Sequence, residues 1–280
     1  MLADRYESLV WIGEGGVGTV YRAFDRALNR PVAIKRIKSG RTSEDKVDAV
    51  LAEARTLCRV QHPNIVTIYD VGHDDDESFI VMELIDGENF ESLSRHGKML
   101  YEQFVPFALQ AQEAMIAAHE LGILHRDIKP ANVMLQWLPS GSLHIKLVDF
   151  GLAQLAEDEE TAPPDKPKGK QEDLVGSLHF MSPEQFGRKA LDARSDLYSL
   201  GCLYYFGLTQ RYPFDGSNGL EVMISHIQHH VTPLQAVRPD LPAWLCDWVM
   251  WHIEFEAAHR PQSVLEAFQR LKQQAGAGFC

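Results

Sequence analysis

Two aspartates and one asparagine are spaced so that they could serve a single reacting centre. Asp127 and Asn132 lie five positions apart in the segment His-Arg-Asp-Ile-Lys-Pro-Ala-Asn, and Asp149 follows a strand-like stretch at 143–148. On a loop, Asp127 could accept the proton of a hydroxyl group, whereas the oxygens of Asn132 and Asp149 are ligands that a hard cation prefers. The spacing therefore predicts a metal-assisted reaction of a hydroxyl, with Asp127 as the base.

A glycine-rich segment near the N-terminus has the composition of a phosphate-binding loop. It runs Gly-Glu-Gly-Gly-Val-Gly-Thr-Val over residues 13–20, after a predicted strand. Glycines let backbone amides approach phosphate closely. The pattern GxGxxG also occurs in dinucleotide-binding folds, but those require a helix next and an acidic residue farther along. Here a second strand with β-branched and aromatic residues follows instead.

Lys35 lies inside a predicted strand, in Val-Ala-Ile-Lys, and allows two interpretations. A lysine in a strand usually points to water, whereas an inward-facing one could hold phosphate oxygens as a point charge. The second interpretation requires a carboxylate that positions the lysine. Glu53 on the following helix is the best candidate, because Glu44 and Asp45 lie in the capping turn of that helix.

Secondary-structure patterns divide the chain into a strand-rich first part and a helix-rich second part. The predicted strands cover 6–13, 20–25, 31–37, 65–71 and 78–84, and one helix at about 43–60 interrupts them. The predicted later helices cover 104–121, 195–208, 220–230, 242–254 and 263–273. The helix at 195–208 is almost wholly apolar, which indicates burial on all sides.

The composition excludes several classes of protein. A formal net charge of −12 over 280 residues argues against a nucleic-acid partner but would tolerate basic protein substrates. No stretch is long and apolar enough to span a membrane, and the start of the chain does not have the pattern of a signal peptide. The cysteines form no CxxC pair, which favours a reducing, cytoplasmic setting over a disulfide framework or a zinc site. They are Cys58, Cys202, Cys246 and Cys280.

Taken in order, the motifs resemble those of a eukaryotic-type (Hanks-type) serine/threonine protein kinase domain. The glycine loop, Val-Ala-Ile-Lys, His-Arg-Asp, Asp-Phe-Gly and Ser-Pro-Glu segments follow one another as in that family, between about residues 6 and 271. Arg260 stands in the family's usual place for a salt bridge to Glu184. The amino-acid sequences of several motifs are most similar to those of bacterial members.

The resemblance implies an α+β, bilobed protein kinase-like fold. A small antiparallel-sheet N-lobe with one helix is expected at 6–84, and a larger, mainly helical C-lobe at 85–271. Residues 272–280 are expected to begin a linker or tail, because many bacterial relatives continue into a linker, a membrane helix and a sensor. A longer C-terminal region could therefore tether the protein.

The resemblance also implies a role for each matching catalytic residue. Asp127 would orient and deprotonate the substrate hydroxyl, and Lys129 would steady the transferring phosphoryl group. Lys35 would hold phosphates and pair with Glu53. The implied magnesium ligands are Asn132 and Asp149.

An ATP site is implied between the lobes. The adenine would be sandwiched by three side chains, Val20, Ala33 and Met134. Met82 would be the gatekeeper, and backbone groups of Glu83 and Ile85 would bind the adenine edge. The implied nucleotide-binding residues are Ile12, Gly13, Glu14, Gly15, Gly16, Val17, Gly18, Val20, Ala33, Lys35, Met82, Glu83, Ile85, Met134 and Asp149.

Lysine at 129 is the family's pattern for serine/threonine rather than tyrosine kinases. Ser177 stands where that subgroup usually has threonine, and its hydroxyl is expected to reach Asp127 and Lys129. The expected activity is transfer of the γ-phosphoryl group of ATP, with Mg²⁺, to serine or threonine hydroxyls of proteins, the enzyme itself included.

Two other functions share this fold. A pseudokinase scaffold typically lacks at least one of the catalytic residues, and here all are present. A small-molecule kinase is disfavoured because residues 176–184 resemble the peptide-docking segment of protein kinases. A panel that compares proteins with small alcohols or antibiotics as substrates would separate the possibilities.

Three further features have alternative interpretations. Arg126 would normally bind a phosphate on the polar loop at 157–173, and Glu172 or Asp173 is hypothesised to replace that phosphate in part. The alternative is a merely solvated acidic loop.

His226, His229 and His230 lie at helical spacing, and a solvated helix face is favoured over a metal site. For Trp244, Trp248 and Trp251 helix packing is favoured over a ligand site.

Overall fold

The strand-rich first part folds into an antiparallel sheet of five strands in the order β1-β2-β3-β5-β4. The computed structural model of the chain describes residues 5–15, 18–37, 44–74, 77–95, 97–150 and 176–277. The strands are β1 Tyr6–Gly15, β2 Gly18–Asp25, β3 Arg30–Ile37, β4 Ile68–Asp74 and β5 Glu77–Glu83. This confirms the predicted antiparallel N-lobe.

One helix, α1 Glu44–Leu57, packs against this sheet. Its inward face is an apolar stripe at helical spacing, with Val47, Val50, Leu51 and Ala54 buried. Burial of this stripe against the sheet stabilises the helix far more than its intrinsic propensity does.

The predicted strand at 65–71 is divided between two partners. Its first residues pair with the second lobe, because Val66 N donates to Leu147 O and Leu147 N donates to Asn64 O, both at 2.9 Å. From Thr67 onward the chain pairs within the five-stranded sheet, where Glu83 N donates to Thr67 O at 2.9 Å and Ile68 lies opposite Met82. Residues 64–66 therefore connect the two lobes through backbone hydrogen bonds, and Ile65 and Val66 are buried at this connection.

The second part is mainly helical, as predicted, with a small three-stranded sheet in the order β6-β7-β8 on the side of the cleft. Its strands are β6 Glu88–Asn89, β7 Val133–Trp137 and β8 Leu143–Leu147. Its helices are α2 Phe90–Ser94, α3 Tyr101–Glu120, α4 Pro183–Phe186, α5 Ala193–Thr209, α6 Gly219–Ile227, α7 Leu234–Val237, α8 Ala243–His252 and α9 Val264–Ala277. Single 3₁₀ turns lie at Pro130–Asn132 and Ala257–His259.

Helix α5 is buried on all sides, as its sequence predicted. Asp192 caps its N-terminus by accepting from the backbone N–H of Arg194 at 2.8 Å. Trp248 on α8 stacks on Tyr204 of α5 and donates to Ala267 O at 3.0 Å. The tryptophan spacing in α8 thus serves helix packing, in agreement with the sequence-based interpretation.

The solvated face predicted for the histidines of α6 is wrong for His226. This side chain is fully buried, and its Nδ1 lies 2.7 Å from the hydroxyl of Tyr198. A histidine that satisfies one ring nitrogen on a buried hydroxyl can take an apolar position, which the helical spacing alone could not indicate. Among the described residues no cluster of histidine, cysteine or acidic side chains could hold a metal ion.

The last helix extends past the expected end of the domain at 271. Helix α9 continues to Ala277, and Ala275 is buried against the core. The helix therefore occupies most of the segment in which a linker was expected, and the domain limits stay a prediction. Of the helices that the structure describes, none is long and apolar enough to cross a membrane.

Arg260 forms the salt bridge to Glu184 that the sequence predicted, at 2.9 Å. The guanidinium is fully buried, donates to the carbonyl oxygens of Glu254, Phe255 and Arg194, and lies over the ring of Tyr198 at 4.7 Å. Its charge is thus compensated by one carboxylate and three carbonyl dipoles, as a buried charge requires.

Replacing Arg260 with Met should lower the free energy of unfolding by about 3–5 kcal/mol, because Glu184 would be left as an uncompensated charge in a buried site. Urea unfolding measures this. The matched control is Arg194→Ala, which removes an exposed pair with Asp192 and should cost less than about 1 kcal/mol. Equal losses in the two variants would contradict the assigned role of Arg260.

Two buried histidines should make the fold sensitive to acid. Burial lowers the pKa of His226 to about 3 and that of His252 to about 4, both from an ordinary value of 6.5. The unfolded chain binds these protons first, so stability falls as the pH decreases below about 6.5, toward the two folded-state pKa values. Urea unfolding between pH 7.5 and 4.5 should show a shallower loss for His252→Gln. The exposed-site variant His259→Gln should keep the wild-type slope, and an unchanged slope in His252→Gln would refute the assignment.

Candidate active site

The inward face of the sheet collects the predicted nucleotide-binding side chains of the N-lobe. Residues directly opposite one another on antiparallel strands share a face, and so do residues two apart on one strand. Val20 lies opposite Lys35, and Ala33 lies opposite Met82. Val20, Ala33 and Met82 accordingly belong to one apolar cluster, into which Ile85 also packs.

Lys35 points inward and is only 3% exposed. Of the two orientations that the sequence allowed, the structure has the inward-facing one, and the predicted contact with phosphate oxygens stays a prediction. Its Nζ lies 2.8 Å from Asp149 Oδ2, so the ammonium group spans the cleft from β3 to the second residue after β8. A lysine in this position can hold an anion beneath the glycine loop.

The expected pair between Lys35 and Glu53 is not formed. Glu53 Oε2 instead lies 3.5 Å from Arg126 Nη1, while Lys35 contacts Asp149. Burial raises the pKa of the Glu53 carboxyl group, and the positive charge of Arg126 opposes that shift. A half-buried carboxylate needs a cation, and here the C-lobe arginine supplies it in place of the strand lysine.

The catalytic-loop residues converge as the spacing predicted. The 3₁₀ turn at Pro130–Asn132 brings Asn132 back toward Asp127, and its Nδ2 donates to Asp127 O at 2.8 Å and to Asp127 Oδ2 at 2.9 Å. Lys129 Nζ lies 2.9 Å from the same Oδ2 and also donates to Ser177 Oγ at 2.9 Å. The contact expected between Lys129 and Ser177 is therefore present.

Asp196, on the buried helix α5, holds the loop that carries Asp127. Its carboxylate accepts from the backbone N–H groups of His125 and Arg126, both at 2.9 Å, and lies 2.8 Å from His119 Nε2. It is only 2% exposed. This role of Asp196 was not predicted from the sequence, although an aspartate inside an almost wholly apolar helix is a signal of a buried polar partner.

Arg126 adopts a left-handed conformation with φ 64° between these contacts. This conformation is uncommon for a residue with a side chain and persists only where the surroundings fix it. Gln185, directly after the peptide-docking segment, donates from Nε2 to Arg126 O at 2.9 Å. Asp196 and Gln185 therefore hold the strained peptide units from both sides.

Asp149 has the same left-handed backbone, with φ 64°. The following residue, Phe150, is buried, and its ring centroid lies 4.3 Å from that of His125. Burial lowers the pKa of His125, so a neutral, packing imidazole is favoured over a proton carrier. This supports a structural role for His125 and fixes the direction in which Asp149 leaves the strand.

The glycine loop is described only in part. Ile12 is 46% exposed at the cleft mouth, Gly13 to Gly15 continue strand β1, and Gly16 and Val17 lie outside the described residues. A Cβ atom at Gly18 would overlap the carbonyl oxygen of Arg36 on β3. Glycine at 18 is thus required by the close approach of β2 to β3, whatever the loop binds.

The hinge and the C-lobe floor complete the cleft. The Glu83 side chain accepts from Thr67 N and from Lys146 Nζ, each at 2.7 Å, which fixes the segment that leads to Ile85. On β7, the neighbours of Met134 on both sides are buried, whereas Met134 is half-buried and belongs to neither core cluster. Side chains alternate along a strand, so Met134 faces the opposite way, into the cleft.

The donor set that the sequence proposed for Mg²⁺ suits that ion. The Nδ2 group of Asn132 is engaged by Asp127, which leaves its carbonyl oxygen as the group available to a cation. The Asp149 side chain is 27% exposed and can be reached from the cleft. Proteins commonly hold Mg²⁺ with one or two side-chain oxygens, here one carboxylate and one amide oxygen. Substrate phosphates and water complete the ligand set of the ion.

Comparison with known proteins gives a consistent assignment. A family model described as the protein kinase domain matches residues 6–269. The serine/threonine-protein kinase pkn2 of Myxococcus xanthus is 35% identical over 276 residues, which cover 97% of this chain and 32% of that relative. For the serine/threonine-protein kinase PrkC of Bacillus subtilis the identity is 33% over 243 residues, with 86% and 36% covered.

The chain spans two fifths or less of the length of these curated relatives, since two relatives from Clostridium species are covered to 38% and 40%. Among solved structures, Rad53 in complex with AMP-PNP has a TM-score of 0.75 at 24% identity, with 95% of this chain and 64% of that chain covered. A mutant of the PknI kinase domain of Mycobacterium tuberculosis has a TM-score of 0.73 at 22% identity, with 96% and 95% covered. These likenesses confirm the predicted fold.

Two double-mutant cycles that share Glu53→Gln can identify the cation that holds Glu53. We expect a coupling free energy of about 0.5–3 kcal/mol between Glu53→Gln and Arg126→Met, measured by urea unfolding of the enzyme without nucleotide. The cycle with Lys35→Met should give a coupling near zero, because Lys35 contacts Asp149. Strong coupling to Lys35 with none to Arg126 would contradict the observed pairing.

Proposed function

The chain belongs to the protein kinase domain family, and on this premise we propose that it is a serine/threonine protein kinase. It transfers the γ-phosphoryl group of ATP to serine or threonine hydroxyls of protein substrates, itself included, with Mg²⁺ as the metal. The observation that carries the proposal is the convergence of Asp127, Asn132 and Lys129 at distances of 2.9 Å, next to Ser177 of the docking segment.

Asp127 acts as the base in this mechanism. Asn132 and Lys129 both contact the Oδ2 atom of Asp127. We therefore assign Oδ1 of Asp127 as the oxygen that accepts the proton of the substrate hydroxyl. The hydroxyl O–H bond breaks as the new O–P bond forms, the bond from the γ-phosphorus to the bridging oxygen breaks, and ADP leaves with that oxygen. General-base assistance of this kind contributes about 10²–10⁴ to a rate.

Lys129 and Lys35 stabilise charge on the transferring group. Lys129 reaches both Asp127 and Ser177, which places its ammonium group between the base and the incoming acceptor. Lys35 is buried, so its attraction for phosphate oxygens is weakened less by solvent than at a surface. Asn132 and Asp149 would hold Mg²⁺, which would supply positive charge to offset the negative charge of the phosphate groups. Positioning and charge together supply most of the rate in phosphoryl transfer.

Two ion pairs exchange partners before catalysis in this proposal. Lys35 turns from Asp149 to the phosphates, and Asp149 turns to the metal site with Asn132. Glu53 then leaves Arg126 and takes its expected place beside Lys35. Arg126 becomes available to an anion on the polar loop, for which Glu172 and Asp173 stay candidates that lie outside the described residues.

Substrate class and setting follow from the same premise. Protein substrates with serine or threonine acceptors fit the docking segment at 176–184, and a cytoplasmic setting fits the cysteine usage. Burial raises the pKa of the Cys202 thiol, which makes it inert to metals and oxidants. A membrane tether through a C-terminal region outside this chain also stays a proposal.

Labelled ATP with Mg²⁺ and a generic protein substrate provides the direct test. Asp127→Asn should reduce phosphoryl transfer by about 10²–10⁴ while ATP binding persists, because the base is lost and the cleft is kept. Asp247→Asn, at an exposed position on α8, is the matched control and should keep full activity. Transfer by Asp127→Asn at the wild-type rate, or labelling of small alcohols instead of protein, would refute the proposal.

A further inference from the structure

A single carboxylate oxygen joins two segments behind the hinge. Glu83 Oε1 accepts from the backbone N–H of Thr67 and from Lys146 Nζ, each at 2.7 Å. The backbone N–H of Glu83 donates in turn to Thr67 O at 2.9 Å. The side chains of Lys146 and Glu83 are only 13% and 20% exposed, so water weakens this ion pair less than it would at a surface. We call these three contacts the hinge latch.

The hinge latch connects the two lobes. Glu83 is the last residue of β5 in the N-lobe, and Lys146 lies on β8 of the C-lobe. Thr67 directly precedes β4 and follows residues 64–66, which pair with the C-lobe. The latch therefore fixes the point at which the chain leaves the five-stranded sheet relative to the floor of the cleft.

Strand β8 gives Lys146 a fixed backbone. Both neighbours of Lys146, Ile145 and Leu147, are fully buried in the C-lobe core. On helix α3, Gln110 accepts from Ile145 N at 3.0 Å and donates to Leu143 O at 2.9 Å. The side chain of Lys146 points to the opposite face of the strand from its neighbours, because side chains alternate along a strand.

That face is the cleft side of the small sheet. Lys146 lies directly opposite Met134 in the pairing of β7 with β8. Residues opposite one another on antiparallel strands share a face, and Met134 faces into the cleft. The stem of Lys146 therefore runs beside the side chain that is proposed to contact the adenine from the C-lobe. Its ammonium group reaches from there to the hinge.

We propose that Lys146 is a positioning residue for the nucleotide. Through Glu83 it holds the backbone of residues 83–85 in place relative to the floor of the cleft, so the groups that bind the adenine edge are arranged before the nucleotide enters. Preorganisation of this kind strengthens binding, because less backbone has to be ordered when the ligand arrives. The inference rests on the proposed function in one respect, namely that the ligand is the adenine of ATP.

Lys146 acts on binding and takes no part in the chemical step. Its ammonium group is engaged by Glu83, whereas Lys35 and Lys129 serve the phosphates and the acceptor in the proposed mechanism. An ion pair that only stabilised the fold would change the free energy of unfolding and leave nucleotide affinity unaltered. The two roles therefore make different predictions for a variant whose stability is restored.

Titration calorimetry with ADP and Mg²⁺ measures the proposed effect. Lys146→Met should weaken the dissociation constant about tenfold, which is the effect of ordering one additional backbone residue on binding. Lys146→Arg keeps the positive charge and should restore most of the affinity. Lys98→Met, at an exposed lysine before α3, is the matched control and should bind ADP like the wild type. Wild-type affinity in a folded Lys146→Met variant would overturn the proposal.

A double variant separates positioning from stability. Glu83→Gln keeps an acceptor for Thr67 N but removes the negative charge, and Lys146→Met removes the positive charge. Each single variant leaves one charge unpaired and should lower the free energy of unfolding in urea, whereas the double variant should recover most of that loss. Its affinity for ADP should stay about tenfold weaker than that of the wild type, because the hinge is no longer tied to β8. If the double variant binds ADP as tightly as the wild type, Lys146 has no positioning role.

Hydrogen exchange reports on the hinge without any nucleotide. In Lys146→Met the amide protons of Thr67 and Glu83 should exchange at least about tenfold faster than in the wild type, because the segments that they join open more often. Mass spectrometry of peptides that cover residues 64–86 measures this rate. Unchanged exchange in Lys146→Met would show that the lysine does not hold the hinge.

Steady-state kinetics separate this inference from the proposed function. Lys146→Met should raise KM for ATP about tenfold and leave kcat close to that of the wild type. A lower kcat with an unchanged KM would contradict the assignment, since Lys146 would then act in the chemical step. If the wild type phosphorylates no protein, the proposed function fails, and the ADP titration still decides whether Lys146 positions the nucleotide.

Discussion

The carboxylate of Asp196 fixes the loop on which the rest of the site depends. It sits in a helix that is buried on all sides, so its position is set by the packing of the C-lobe core. From there it accepts the backbone N–H groups of His125 and Arg126, which places Asp127 at the floor of the cleft. A buried carboxylate without partners would be costly, and here the loop amides and His119 compensate its desolvation. Core packing and catalytic geometry are therefore joined through one side chain.

Charge balance governs the arrangement around that loop. Lys35, Arg126, Glu53 and Asp149 are each at least partly removed from water, and each pairs with an opposite charge. Four such groups can pair in two ways, and the observed way joins Lys35 to Asp149 and Arg126 to Glu53. Nucleotide phosphates and a metal ion would add charges of both signs to the same space, and the pairing would change with them. The site can thus respond to its ligands through electrostatics, with no new contact in the core.

The docking segment joins the active site to the outer surface of the C-lobe. It contacts the catalytic loop through Ser177, and Gln185, directly after it, donates to Arg126 O. The ring of Phe186, which follows, contacts that of His226 on helix α6, and His179 within the segment stacks on Tyr212. Aromatic contacts and partly buried hydrogen bonds make this connection stiff. Helix α6 consequently has a fixed position relative to the catalytic loop.

The sequence by itself determined that a strand-rich part precedes a helix-rich part, which depends on periodicity, and the fold family, which its ordered motifs resemble. It also placed Asp127, Asn132 and Asp149 as candidates for one site, and their catalytic roles stay a proposal. It could not determine the partner of Glu53, since the choice between Lys35 and Arg126 depends on distances between elements that are far apart in sequence. Burial of His226 likewise depends on Tyr198 and Phe214, which helical spacing cannot indicate. Local patterns specify elements and residue types, whereas long-range packing decides which charges pair and which faces stay exposed.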